Sequence, residues 1–177
     1  MIDAELTILN FIQEHMTNPV MDKVMVFITT LGDAGIIWII TALIMISCKK
    51  YRRTGITLAI GLILSLLIGN IILKPLVART RPFEFTEKIR LLIETPHDFS
   101  FPSGHTLASF ISATILLVKE RKIGYCALTL AVLIAFSRLY LYVHFPTDVL
   151  ASILLGTAIG WGSVKLSEKF IFKNKSI

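Results

Sequence analysis

Residues 123–148 read IGYCALTLAVLIAFSRLYLYVHFPTD. The run from Ile123 to Phe136 carries no charge, and Ser137 and Arg138 then arrive inside the apolar stretch. His144 comes where the stretch ends, Pro146 can open a following helix, and Asp148 falls in that helix's first turn. A charged side chain is costly in hydrocarbon, so an arginine inside such a run needs a partner or a water-filled site. This stretch asks for a membrane helix with a polar site at one end.

The same grammar recurs on both sides. Apolar stretches lie at roughly 20–31, 35–48, 55–78, 103–118, 123–142 and 146–165, the longer ones near the ~20 residues that a helix needs to cross hydrocarbon. With 54% hydrophobic residues, 17% charged ones and a mean hydropathy of +0.74, the chain has more apolar side chain than a soluble domain of 177 residues buries. The expectation is an all-α, polytopic membrane protein of six transmembrane helices, forming a single membrane-embedded domain over residues 1–177. Gly32–Asp33–Ala34–Gly35 reads as a turn joining the first two stretches as a hairpin. One span over about 24–48 is the competing count and leaves five. Residues 3–16 differ: Leu6, Leu9, Phe11 and Ile12 recur near helical spacing among Asp3, Glu5, Gln13 and Glu14. That pattern predicts an N-terminal interfacial amphipathic helix ending before Asn18–Pro19. It lacks the basic start and continuous apolar core of a signal peptide.

The net charge of +6 is less informative than its placement. Lys49, Lys50, Arg52 and Arg53 follow the second stretch, Lys119, Arg121 and Lys122 the fourth, and Lys165, Lys169, Lys173 and Lys175 the sixth. With six spans these clusters share one side, which the positive-inside bias makes cytoplasmic, together with both termini. Because the basic residues flank apolar spans instead of forming one aromatic-interleaved patch, no nucleic-acid partner is expected. Lys74, Arg79, Arg81, Lys88, Arg90 and Arg138 then lie on the opposite, outer face against that bias, and phosphate binding would give such charges a purpose. Lys88 and Arg90 read as basic side chains snorkelling at an interface. No role is assigned to Arg79, His97 or the 83–101 loop. Cys48 and Cys126 read as small packing residues, and Gly156–x–x–x–Gly160, extended by Gly162, as a helix-packing face.

Three strings carry chemistry. In Pro102–Ser103–Gly104–His105 a polar loop ends and an apolar stretch begins, so Ser103 can cap a helix start. Free N–H groups there attract an anion, and Gly104 allows its close approach; an ordinary capped helix start explains the string equally. Lys74 and Arg81 offer a point charge and a planar fork for phosphate oxygens, or are snorkelling cations. Asp148 can reach back to His144, hold one ring nitrogen protonated and leave the other nucleophilic; a purely structural His–Asp contact is the alternative. Two histidines and one aspartate could ligate a metal, but nearby cations would repel it, so neither metal nor cofactor is expected.

Together, Lys-x6-Arg-Pro over 74–82, Pro-Ser-Gly-His over 102–105 and Ser-Arg-x5-His-x3-Asp over 137–148 resemble the three-part signature of the type 2 phosphatidic acid phosphatase superfamily. That superfamily includes bacterial lipid phosphatases, glucose-6-phosphatase and vanadium-dependent haloperoxidases, the last in larger, less apolar chains. The resemblance implies that His144 attacks phosphorus to form a phosphohistidine, with Asp148 orienting it. It implies that His105 protonates the leaving oxygen, and that Lys74, Arg81, Ser103, Gly104 and Arg138 hold the phosphoryl oxygens, without a metal. The implied partner is a lipid phosphate in a bacterial cell membrane, such as undecaprenyl diphosphate, phosphatidylglycerophosphate or phosphatidic acid, met on the extracytoplasmic side. A non-enzymatic lipid or anion transporter using the same cations is the competing class. It would need neither both histidines nor Asp148.

Overall fold

The computed structural model describes residues 2–86 and 89–172; Lys88, Lys173 and Lys175 lie outside them. The described residues form helices and loops without a strand. They are α1 (Ile2–Met16), α2 (Pro19–Leu31), α3 (Ile36–Ser47), α4 (Arg52–Leu64), α5 (Lys74–Val77), α6 (Gly104–Lys119), α7 (Arg121–Tyr140) and α8 (Pro146–Leu166). π-helical turns over Ser65–Leu73 fuse α4 and α5 into one rod.

Local chemistry sets these boundaries. Asn18 Oδ1 accepts from the N–H groups of Val20 and Met21, and Pro19 stands at the first position of α2, where its missing N–H costs nothing. Pro146 opens α8 in the same way, and Asp148 Oδ2 accepts the Phe145 N–H at 2.9 Å. α6 is the central helix, buried on all sides, and α8 lies close against it. A Cβ on Gly156 would come within 2.9 Å of Phe110 Cβ, and one on Gly160 within 2.8 Å of the Ile111 carbonyl. Both glycines let the backbones touch. Gly162 meets nothing within 4 Å and takes no part in that face.

The outer helix faces are apolar: Leu66, Ile71, Val132, Leu150 and Leu154 are all exposed. A soluble protein rarely shows so much apolar surface, and this is a membrane protein. The rod Arg52–Phe85, α7, and α8 extended to Ile171 are each long and apolar enough to cross a bilayer. α2 and α3 reach that length only as a pair, and α6 is apolar but shorter.

The expected hairpin at Gly32–Gly35 is not formed. α2 and α3 meet at 43° and run on in one direction. Their partners show it: Asp22 accepts from Tyr140 Oη at 2.6 Å, Thr29 from Arg138 at 2.5 Å, and Trp38 Nε1 donates to Ser109 at 3.0 Å. After α3, Thr54 donates to Glu120 at the start of α7. The chain thus follows α7 from one end to the other. A glycine-rich turn fits a bend as well as a reversal, and packing of α2 on α7 and of α3 on α4 and α6 chooses the bend.

The placement of the termini changes with it. Gln13 donates to the Tyr140 carbonyl at 2.5 Å, and Leu9 packs on Tyr142 and Phe145, so α1 covers the turn between α7 and α8. At the other end, Lys119 pairs with Glu168 at 3.1 Å and Arg53 lies over the Phe172 ring. The two described ends of the chain therefore sit at opposite ends of the bundle, whereas six spans would bring both termini to one side. Within α1, Leu9 and Ile12 face the protein while Ile8 and Phe11 face outward. Cys48, just past the end of α3, and Cys126 in α7, both expected to pack, are exposed.

Candidate active site

Four chain segments converge at the end of the bundle that α1 covers. The rod delivers Lys74 and then Arg81, α6 begins there with Gly104 and His105, α7 ends there with Arg138, and the turn to α8 carries His144. These six residues, with Asp98 from the preceding loop, line the polar end of a cavity of about 590 Å³.

His144 is 2% exposed and sits under Arg81, whose Nη1 is 3.3 Å from His144 Nε2 and donates to the Val143 carbonyl at 2.7 Å. Burial pushes the imidazole down to about 3, aided by the charges of Arg81 and Arg138 and opposed by Asp148. The ring is therefore neutral at physiological pH, with a lone pair available. Asp148 is fully buried behind it, its Oδ2 3.8 Å from His144 Nδ1. That is beyond hydrogen-bond length, and among the described residues Nδ1 has no hydrogen-bond partner; catalytic contacts commonly tighten only around a substrate. Asp148 is held from three other sides: Ser100 Oγ donates at 2.6 Å, the Phe145 N–H at 2.9 Å and Arg79 Nη1 at 2.5 Å.

Arg79, left without a role by the sequence, is thus the clamp on that carboxylate. Its Nη2 donates to Glu5 at 2.6 Å, and its guanidinium lies 4.0 Å over the Phe145 ring. Glu5 also accepts from the N–H and Oγ1 of Thr147. Burial alone would raise the Glu5 carboxyl, but the Thr147 and Arg79 contacts hold it below its ordinary value. The N-terminal helix is wired to the residue behind His144.

Arg138 is 3% exposed and faces the cavity. Its Nη1 donates to Thr29, its Nε has no partner, and among the described residues no carboxylate pairs with it. Lys74 and Arg81 share Asp98: Lys74 contacts Oδ2, and Arg81 Nη2 donates to Oδ1 at 2.6 Å. Burial works against ionisation of Asp98, but the two cations prevail and lower it to about 2. The cavity's charged lining is therefore three cations against one carboxylate, an excess of two positive charges. Gly104 supplies the open approach: a Cβ there would stand 3.4 Å from Asn70 Oδ1 and 4.0 Å from Lys74 Nζ.

Ser103 departs from expectation. It precedes α6, but its Oγ pairs with Thr106 Oγ1 at 2.9 Å instead of capping a backbone N–H, and it lies buried outside the cavity lining. His105 faces the cavity with Nε2 2.8 Å from Asp33 Oδ1. Arg90 is exposed and apart from the site. Asp33, Asn70, Arg79 and Asp98 are the site residues that sequence reasoning missed. Of these, Asn70 left a readable signal, an amide in the middle of the apolar run 55–78. Among the described residues no three His, Cys, Asp or Glu side chains gather as a metal cage. The rest of the cavity is apolar and runs between α3 and α4, walled by Ile39, Leu43, Ile46, Leu62, Ile63 and Leu66.

The sequence model of the PAP2 superfamily matches residues 54–172. An undecaprenyl-diphosphatase of Sulfolobus acidocaldarius is 38% identical over 150 residues, covering 84% of this chain and 71% of that protein. The undecaprenyl-diphosphatase BcrC of Bacillus subtilis is 32% identical over 155 residues, covering 85% and 77%. A crystal structure of a transmembrane PAP2-type phosphatidylglycerolphosphate phosphatase from Bacillus subtilis superposes with a TM-score of 0.75 at 28% identity, covering 95% of this chain and 86% of that one. Sequence, fold and the clustering of its charged residues thus agree, and the chain belongs to the PAP2 superfamily as a membrane-embedded phosphatase.

Proposed function

We propose that the protein hydrolyses the phosphate or diphosphate of a membrane lipid through a phosphohistidine on His144, at the extracytoplasmic face. The observation that carries this reading is Arg138: a buried guanidinium with no carboxylate partner among the described residues, aimed into a cavity that already holds Lys74 and Arg81. A buried unpaired charge is strongly unfavourable unless an anion completes it. The net two positive charges match a phosphoryl group, and Gly104 lets its oxygens approach the first turn of α6.

The reaction follows from the placement. His144 Nε2 forms a bond to phosphorus, the bond from phosphorus to the leaving oxygen breaks with its electron pair on oxygen, and His105 gives that oxygen a proton. Water then attacks the phosphohistidine, its proton returns to His105, and the P–N pair returns to His144. Lys74, Arg81, Arg138 and the Gly104 amide hold the equatorial oxygens throughout, as phosphoryl transfer requires mainly positioning and charge stabilisation. Asp148, held by Arg79, Ser100 and the Phe145 N–H, stabilises the His144 ring as it gains charge. Ser103 supports this end of α6 from below.

The apolar channel between α3 and α4 leads away from the cations, so a headgroup can enter the site while its tail stays among Ile39, Leu43 and Leu66. The tail exchanges bilayer hydrocarbon for these side chains, so the channel admits it without a hydrophobic gain of its own. Two relatives named as undecaprenyl-diphosphatases favour a polyprenyl diphosphate over phosphatidylglycerophosphate or phosphatidic acid. The chain would cross the membrane five times: the bent α2–α3 pair, the α4–α5 rod, α6, α7 and α8. The basic clusters near Lys50, Arg121 and Lys165 lie at the end remote from the site, which the positive-inside bias makes cytoplasmic. α1 would then lie along the outer interface. Phosphate release from these three lipids in detergent tests the reading, with His144→Ala beside the native protein. A loss of roughly 10³-fold or more is expected; undiminished hydrolysis by the variant would overturn the nucleophile, and no release from any lipid by the native protein would overturn the enzyme.

A further inference from the structure

The bend between α2 and α3 does more than redirect the chain. Ala34 and Gly35 have φ of 50° and 70°, a left-handed pair that alanine adopts only at a cost. A Cβ on Gly32 would come within 2.7 Å of His105 Cδ2. The turn therefore lies flush on the imidazole of His105, and Asp33 Oδ1 stands 2.8 Å from its Nε2. Gly32, Ala34, Gly35 and His105 all line the same cavity. Asp33 itself is exposed, and among the described residues its side-chain hydrogen bond is the one with His105.

We propose that Asp33 is the positioning residue of His105. Its carboxylate accepts the Nε2–H, fixes the tautomer and ring plane, and leaves Nδ1 as the atom that protonates the departing oxygen. Lys74 and Arg138 face the same cavity, and Asp33 is the counter-charge that lets the ring carry a proton between them. Each histidine of the site is then backed by its own carboxylate: Asp148 behind His144, Asp33 behind His105. The inference deepens the proposed mechanism and rests on His105 as its general acid.

The test is dependence on the leaving group. Phosphatidic acid leaves as an alkoxide and needs a proton, whereas p-nitrophenolate departs without one. The phosphorylation step is read as the pre-steady-state burst on both substrates, for the native protein, Asp33→Asn, Asp33→Glu and His105→Ala. Asp33→Asn is expected to slow the burst on phosphatidic acid about 10- to 100-fold, with KM within about twofold, and that on p-nitrophenyl phosphate by less than about threefold. Asp33→Glu should recover part of the loss, which a merely destabilised turn would not show. An equal loss on both substrates, or none on phosphatidic acid, overturns the role of Asp33 provided that His105→Ala shows the split. If His105→Ala shows no split, the acid assignment itself fails.

Discussion

His144 is buried among cations, and both conditions keep its lone pair free, as its proposed role of nucleophile requires. Its value of about 3 lies below the 6.5 of a free imidazole, so the unfolded chain takes up this proton first. Stability should then fall as pH drops from about 6.5 to about 3, and His144→Ala should flatten that slope in the melting midpoint measured in detergent. Asp98 acts in a second window. Its carboxyl at about 2 lies below the ordinary 3.8, so its contribution is complete above about 3.8 and is lost towards about 2, a drop that Asp98→Asn should remove. Arg138→Ala should lower kcat by about 10²–10³-fold on a lipid phosphate, with Arg138→Lys recovering little, because a point charge cannot reproduce the fork. At this scale the three strings were legible because the spacing of Lys74, Arg81, Gly104, His105, Arg138, His144 and Asp148 is fixed within short segments. Asp33, Arg79 and Asp98 were not, since each gains its meaning from a partner dozens of residues away.

Helix boundaries were readable from apolar runs and their caps: the stretches at 20–31, 123–142 and 146–165 reappear nearly unchanged as α2, α7 and α8. What the runs did not encode was the angle between α2 and α3, because Gly32 and Gly35 permit both a bend and a reversal. α1 was legible as amphipathic, but Glu5, one of its polar side chains, serves the site and not water. Glu5→Gln should weaken the hold of Arg79 on Asp148 and lower kcat more than KM, with a roughly 10-fold loss expected and Glu5→Asp recovering part of it. The α6–α8 contact gives a purely structural counterpart. Gly160→Val drives side-chain atoms into the Ile111 carbonyl and Thr114, an overpacking that costs about 1–3 kcal/mol. It should appear as a lowered melting midpoint with KM for lipid unchanged.

For the molecule as a whole, the proposed topology of five crossings, with α2 and α3 as one bent span, has a direct readout. With Cys48 and Cys126 replaced by serine, Glu14→Cys should react with a membrane-impermeant maleimide on intact cells, and Lys122→Cys only after permeabilisation. Labelling of Lys122→Cys from outside would reverse the orientation, and protection of Glu14→Cys would restore the hairpin count. The cavity that joins this architecture to its chemistry has two unlike ends, one ringed by cations and one opening between α3 and α4. On the proposed reaction the two products part into different phases, phosphate into water and the shortened lipid into the bilayer. Each is then cleared independently of the other. Re-formation of the ester would require phosphate to return and phosphorylate His144 and the shortened lipid then to attack it, so clearance into two phases opposes the reversal of a hydrolysis that water already favours.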